Sequence, residues 1–541
     1  MSVTPTTSLI ADYSAINYQD KMQINVLGSI VVPESQMYDE EDDRPPIDIV
    51  TVVDVSGSMG GERIDLLRLS LKFLVSEMRP QDRIAIISFC SHVETVFELS
   101  AVQDKARINA LIDNRINATS CTALAPALYQ GIVTLRHRVN ANPVGSLVLL
   151  TDGFANEGDS EASVICGRVK QLLSGDKHVF DATAPHIDRI AAAPSWNNVQ
   201  PGSKVAKGGL FGGLLGKKKK KNHHPAPQQQ QQQQMQLPSA PLVCGSDGVD
   251  MANVDTRMLL EMMDRPGQPM SITTIGLGSS HDQAMLSAIA EGAAGMYYPI
   301  TANAQVADVF GEILGGLVSA FMDRTKVTLT LAPGVTVPAE SVFTGGQVTA
   351  GPGVIEFTLP TDISLGERRD IPFTAEVPAL LGPDERWTAM TMTVSYFDIK
   401  AKAEATIPPV SLEIERGGTS TREESDLLAQ NIIRRDVVLV MKQAREVARS
   451  SPEKARELLE GLLTRVKAST IPVYVKDGFI SDLDQALASL LVSVAAMDQY
   501  AMGSAWSHQV QRGNAAMKSE AMYANVARVQ TKMKSKKFMM R

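Results

Sequence analysis

Between Ile47 and Ile300 one pattern recurs: a short, almost wholly apolar run, then a stretch with apolar residues three and four apart. The runs are IDIVTVVD (47–54), RIAIISF (83–89), SLVLLTD (146–152), SITTIGL (271–277) and MYYPI (296–300). A strand that is apolar on both sides leaves no face for water, so such runs belong in a sheet covered by helices on both faces. The alternation predicts an α/β fold built on a doubly wound, mostly parallel sheet over residues 47–322, with a helix from about Glu62 to Met78 after the first strand. At 541 residues, 44% hydrophobic and 21% charged, the chain has enough material for several domains, each with a core.

Outside this region the period changes. Residues 21–33 (KMQINVLGSIVVP) read as a strand pair, and the segment 1–46 ends in the acidic linker Asp39–Asp43 and Pro45-Pro46. After a helix expected to end near Met322, the runs KVTLTLAPGVTV, GVIEFTLP, RRDIPFTAEVP, WTAMTMTVSYFD and KAEATIPPVSLEIER are separated by Gly and Pro turns. They predict an antiparallel β-sandwich over 323–416. The strands at 21–33 lack a partner of their own and are expected to complete it, which makes the parallel-sheet domain an insertion. From 417 to 541 the pattern is helical, and a tail from Lys518 with seven basic residues against one acidic reads as a solvated or frayed helix end. Residues 177–250 hold GGLFGGLLG, Lys217–Lys221, His223-His224 and Gln228–Gln234. That composition does not bury enough apolar surface to offset its ordering entropy, so a disordered insertion is expected.

A net charge of −8 argues against nucleic acid as a partner, because phosphate binding needs a concentrated basic face. There are no eighteen consecutive apolar residues and no basic segment leading into an apolar one at the N-terminus, so the expectation is no membrane span and a cytoplasmic location. Lys217–Lys221 is the one run suited to nuclear import. Four dispersed cysteines (Cys90, Cys121, Cys166, Cys244), with no CxxC pair, fit a reducing compartment and exclude a disulfide framework or a paired zinc site.

The chemistry concentrates in Asp54-Val55-Ser56-Gly57-Ser58-Met59-Gly60-Gly61, which joins the first apolar strand to the first helix. One carboxylate and two hydroxyls at alternate positions supply hard oxygen donors suited to Mg²⁺ or Mn²⁺. Asp152, at the end of SLVLLTD, adds a second carboxylate, and Thr122, just before the helical stretch ALAPALYQGIVTL, adds a third hydroxyl. Thr119 is the alternative to Thr122. An N-cap cluster explains Asp and Ser at a strand-to-helix turn without any ligand, but it does not explain Thr122 and Asp152 on later elements.

These residues resemble the von Willebrand factor A (VWA) domain family, through DVSGSM, the distant threonine, VLLTDG, PQDRIAIISF and IGLGSSHDQAMLSAIAEGAAGMYYPI. The resemblance implies a metal-ion-dependent adhesion site of Asp54, Ser56, Ser58, Thr122 and Asp152, in which a carboxylate from a protein partner completes the coordination. The flanking β and helical regions resemble the intracellular members of the family, some of which are plant RING ubiquitin ligases and others VWA-Hint proteins. This chain carries neither a RING nor a Hint module, so ligase and self-splicing activities are not expected. The reading is a non-enzymatic, divalent-cation-dependent binding module whose oligomeric state no motif encodes. Its alternatives are a scaffold with a vestigial metal site and a ubiquitin-pathway component without its own RING. The third is a serine hydrolase at Ser58 with Asp152 and His281, although Ser56 stands where the GxSxG elbow needs glycine. GSMGGE matches neither GxGxxG nor the P-loop, so no phosphate cradle is indicated.

Overall fold

The computed structural model describes residues 3–34, 44–119, 124–153, 161–175, 267–278, 281–300, 302–423, 425–512, 520–523 and 525–540. The chain opens with strands β1 (Thr6–Ala11), β2 (Tyr13–Ala15) and β3 (Met22–Val31). It then enters a six-stranded sheet of β4 (Ile47–Asp54), β5 (Arg83–Phe89), β6 (Val93–Ala101), β7 (Val144–Thr151), β8 (Ser271–Leu277) and β9 (Tyr297–Ile300). The spatial order is β6-β5-β4-β7-β8-β9, parallel throughout except for β6, an edge strand antiparallel to β5. The chain leaves β4 toward β5 and comes back on the other side of β4 at β7. At such a reversal the connections part toward opposite faces, and a crevice opens beyond the carboxyl ends of the two strands.

The helices among these strands are α1 (Glu62–Glu77), α2 (Lys105–Arg115), α3 (Leu124–Arg136), α4 (Ala162–Ser174), α5 (Gln283–Gly292) and α6 (Val306–Ser319). All eight residues of β4 are buried. Ile49 and Val53 pack with α1, α2 and α6, while Val50 and Val52 pack with α3, α4 and α5. Each fully buried aliphatic side chain contributes roughly 1.5 to 3 kcal/mol relative to exposure. That two-sided burial is why the run at 47–54 is continuous instead of alternating. A Cβ at Gly131 would fall 2.7 Å from side-chain atoms of both Leu147 and Val52, so the missing side chain lets α3 lie against β4 and β7. The doubly wound sheet expected from the sequence is therefore present.

The sandwich follows as β10 (Ala320–Leu331), β11 (Val348–Gly351), β12 (Val354–Thr358), β13 (Ile363–Ser364), β14 (Arg368–Val377), β15 (Asp384–Asp398), β16 (Ala403–Arg416) and β17 (Thr421–Arg422). One sheet runs β11-β12-β10-β15-β16-β2-β17, with β13 also on β10, and the other runs β1-β3-β14. β3 pairs along its whole length with β14, from Val31 opposite Arg368 to Met22 opposite Val377. The two sheets share one core, with Ile24, Val26 and Phe373 on one side and Val327, Met392 and Ile414 on the other. Pro408 and Pro409 fall where the β15–β16 register shifts between Met392 and Val394, an irregularity that tolerates the missing amide hydrogens. Helix α6 stops at Ser319, three residues short of the sequence expectation. Ala320 and Met322 already pair with β13, and Met322 with β15, so the chain turns from helix to strand inside an apolar run with no local breaker.

The last region comprises α7 (Asp426–Ala448), α8 (Pro452–Ala468), α9 (Val473–Val492), α10 (Val494–Val510) and α11 (Val526–Met539). Side chains of Ser425, Ser451, Ser493 and Asn525 cap four of these helices by accepting a backbone amide hydrogen three residues on. Helices α7 to α10 bury Val437, Met441, Leu459, Phe479, Leu483 and Met497 in a common core. No helix among the described residues is long and apolar enough to cross a membrane. The insertion expected at 177–250 lies outside the described residues.

The basic tail departs from its reading as a frayed end. Helix α11 docks along α6 and reaches α1, with Lys536 paired to Asp308 of α6 at 3.0 Å and Lys534 to Glu77 of α1 at 3.3 Å. The docking works because Gly311 and Gly315 leave a channel on α6. A Cβ at Gly315 would stand 2.6 Å from Arg528 Cα, and one at Gly311 would stand 2.7 Å from Lys532 Cα. Gly315→Leu is expected to displace α11, since overpacking of about 1 to 3 kcal/mol outweighs the roughly 1 kcal/mol of helix propensity gained. Limited trypsin digestion should then cut within Lys532–Lys537 several times faster than in wild type; an unchanged cutting rate would show that the crossing can relax.

Candidate functional site at the carboxyl end of the sheet

Asp54 ends β4 and Asp152 directly follows β7, so the winding reversal brings the two carboxylates to one crevice. The connection after Asp54 is a single 3-10 turn, Gly57–Met59, anchored by the fully buried Met59. Gly61 then takes φ 78°, a left-handed conformation open to glycine, and starts α1. It is Gly61 that caps α1, so the side chains of Asp54, Ser56 and Ser58 are not consumed as caps of that helix.

Asp54 is fully buried. Its Oδ1 accepts the Ser56 amide hydrogen at 2.8 Å and its Oδ2 accepts the Thr151 hydroxyl at 2.6 Å. Burial pushes the Asp54 carboxyl up and the nearby Asp152 adds to this, while the bonds from Thr151 and Ser56 pull it back in part. Ser58 Oγ donates to Asp152 Oδ1 at 2.7 Å and lies 3.0 Å from Ser56 Oγ. A chain of oxygens therefore runs from Ser56 through Ser58 to Asp152. The other oxygen of Asp152, Oδ2, accepts Arg63 Nη1 at 2.5 Å.

The donors fit a small hard cation. They are oxygens only, and they include two carboxylates close enough to disfavour each other's charge. Among the described residues no three His, Cys, Asp or Glu side chains gather to hold a metal, so any ion here would rely on the hydroxyls as well. Thr122 lies outside the described residues. Thr119, the alternative, donates its amide hydrogen to Val55 O at 2.7 Å, and its hydroxyl lies 3.3 Å from the same carbonyl. That contact ties the loop before α3 to the motif, and a Cβ at Gly57 would come within 3.1 Å of Thr119 O.

The hydrolase relay, in which a histidine bridges the serine and the acid, is not formed. Ser58 bonds Asp152 directly, and His281 Nε2 lies 2.8 Å from the Tyr297 hydroxyl. Burial pushes His281 down, toward the neutral form. Two residues of the site escaped the sequence reading. Thr151 was hidden as the last residue of an apolar strand, although its place next to Asp152 is a usable signal. Arg63 was hidden because a charged residue in a first helical turn ordinarily faces water.

Residues 48–172 match the model of the von Willebrand factor type A domain, and residues 230–299 match a second von Willebrand factor type A domain model. The chain is 30% identical over 131 residues to the uncharacterized protein sll0103 of Synechocystis sp., covering 24% of this chain and 31% of that one. It is 30% identical over 113 residues to the E3 ubiquitin-protein ligase WAV3 of Arabidopsis thaliana, 20% of this chain and 15% of that one. These matches span less than a third of each relative's length. Among solved structures, a von Willebrand factor type A protein from Catenulispora acidiphila superposes with a TM-score of 0.53 over 90% of both chains at 13% identity, a likeness of fold. This family and fold are typically those of non-catalytic adaptor and adhesion modules. The strand-turn-helix motif, the winding reversal above it and the matched family model together identify the chain as a protein containing a von Willebrand factor type A domain.

Proposed function

We propose that the crevice is a metal-ion-dependent adhesion site, in which Asp54, Ser56, Ser58, Thr122 and Asp152 hold Mg²⁺ or Mn²⁺ and a carboxylate of a protein partner completes the coordination. The observation that carries this reading is the convergence, at the ends of two neighbouring strands, of the hydrogen-bonded oxygens of Ser56, Ser58 and Asp152 with the Asp54 carboxylate, which the Ser56 amide holds. A divalent ion there supplies positive charge for a partner's carboxylate. The residues of the chain do the rest. Thr151 and the Ser56 amide fix the Asp54 carboxylate, Met59 pins the turn, and Ser58 presents its hydroxyl at the surface.

Mg²⁺ and Mn²⁺ titration by calorimetry and thermal shift tests the reading. Ligand at a hundredfold excess over its dissociation constant stabilises the folded state by about 2.7 kcal/mol. Wild type is expected to show a saturable upward shift, the Asp54→Ala, Ser56→Ala double variant none, and Asp152→Ala a weakened one. No shift in wild type would make the site vestigial and the protein a scaffold acting through its sandwich and helical domains. A narrower reading, a cytoplasmic component of ubiquitin-related machinery without its own RING, draws for its ubiquitin part on the 113-residue likeness to the Arabidopsis E3 ubiquitin-protein ligase. For the metal-dependent reading, partner capture is expected to disappear with EDTA and with Asp54→Ala; capture that survives both favours the scaffold.

A further inference from the structure

We propose that Arg63 is a built-in counter-cation of this site, which a divalent ion must displace in order to bind; this rests on the adhesion-site reading above. Arg63 lies in the first turn of α1, where the helix dipole favours anions and disfavours a cation. Glu62 and Asp65 of the same turn follow that preference. Arg63 does not extend into solvent. Its guanidinium crosses from α1 to the end of β7, pairs with Asp152 Oδ2, and lies 3.5 Å from the Ser58 carbonyl oxygen. The Asp152 side chain is 1% exposed and that of Arg63 is 37% exposed, so the carboxylate is covered while the cation sits at the mouth.

The surroundings leave room for it. A Cβ at Gly278, in the turn after β8, would stand 3.2 Å from Arg63 Nη2, and Gly278 takes φ 70°. The turn therefore passes close to the guanidinium with no side chain in between. With Ser58 on Oδ1 and Arg63 on Oδ2, both oxygens of Asp152 are engaged. Each oxygen keeps a second lone pair for an ion, but a divalent cation on Asp152 would sit beside the guanidinium, and Coulomb repulsion between the like charges drives Arg63 out. Monovalent cations carry the same single charge as the guanidinium and lack its fixed position, so the exchange discriminates against them. Arg63 thus acts as a specificity-determining and positioning residue: it neutralises Asp152 without metal and sets the concentration at which a divalent ion replaces it.

The full-length protein and its Arg63→Gln and Arg63→Lys variants, titrated with Mg²⁺ and Mn²⁺ by calorimetry, test this. Arg63→Gln is expected to bind at least about tenfold tighter, with Arg63→Lys close to wild type. In EDTA, thermal unfolding of Arg63→Gln should begin below wild type, and saturating Mg²⁺ should close the gap, a crossover that a merely structural arginine does not produce. Equal affinity in wild type and Arg63→Gln, with binding lost in the Asp54→Ala, Ser56→Ala variant, would overturn the counter-cation and leave the metal site standing. Weaker binding in Arg63→Gln would overturn it too, by making Arg63 a support of the loaded site. No binding by any variant would remove both readings together.

Discussion

Glu367→Gln is expected to lower the unfolding free energy by about 3 to 5 kcal/mol, the cost of leaving buried charges without their partner. Glu367 is 4% exposed and sits in the turn between β13 and β14. Its Oε2 accepts Arg369 Nη2 at 2.7 Å and the Ser364 amide at 3.0 Å. Its Oε1 faces Arg528 Nη2 at 2.9 Å and Arg512 Nε at 3.7 Å. The three guanidiniums come from β14, from just past the end of α10 and from α11. Arg528 also reaches Glu312 of α6 at 4.0 Å, and Arg512 pairs with Asp362 at 2.9 Å. One carboxylate thus sits at the joint of the sheet domain, the sandwich and the terminal helices. The glutamine keeps the shape but removes the charge and turns one acceptor oxygen into a donor facing arginine, so urea unfolding of this variant reads the loss of both.

The same residue fixes a pH dependence. Burial pushes the Glu367 carboxyl up, but Arg369, Arg528, Arg512 and the Ser364 amide outweigh it and hold the group far below the usual carboxylate range. A depressed folded-state pKa stabilises the fold above the unfolded value, about 4.3 for Glu, and that contribution disappears as pH falls below it. Wild type should therefore lose stability steeply below roughly pH 4.5, and Glu367→Gln should lose less over the same interval. Parallel pH profiles for the two proteins would show that Glu367 is not the carboxylate that matters.

Neither this joint nor Arg63 was legible in the sequence, and the reason is physical. An apolar run reports its own burial, because nothing but burial stabilises it; hence 47–54, 83–89 and 271–277 could be read as interior strands from composition alone. A glutamate or arginine is buried only if a partner distant in sequence meets it, as Arg512 and Arg528 meet Glu367. The motif at Asp54 was readable for a different reason. A carboxylate and two hydroxyls on a strand-to-helix turn form a local pattern, and β7 completes it because strands of this type line up beside one another. The antiparallel edge strand β6 carries a weaker signal, since VETVFELSA is only half-buried and lacks the continuous apolar run of the interior strands.

Asp482→Ala should be the most damaging single change in the helical region, costing about 3 kcal/mol or more because it orphans buried donors as well as removing an acceptor. Asp482 is fully buried on α9. Its Oδ1 accepts the Tyr500 hydroxyl at 2.6 Å; its Oδ2 accepts the Ser504 hydroxyl at 3.0 Å and lies 2.8 Å from His508 Nε2. Tyr500, Ser504 and His508 stand four residues apart on α10, so one face of that helix converges on one carboxylate. His508 Nδ1 in turn lies 2.9 Å from the Tyr523 hydroxyl, which carries the network to the segment before α11. The effect should extend past the helical region, because α10 also meets the sheet domain. Trp506 Nε1 donates to Gly295 O at 3.0 Å, and Gln499 Nε2 donates to Gly278 O at 3.4 Å, in the turn that passes Arg63. Hydrogen exchange should accordingly speed up in Asp482→Ala over 271–300 as well as over 473–510, while β4 and β5 keep wild-type protection. Faster exchange confined to 473–510 would show that α10 packs on the sheet domain without bracing it.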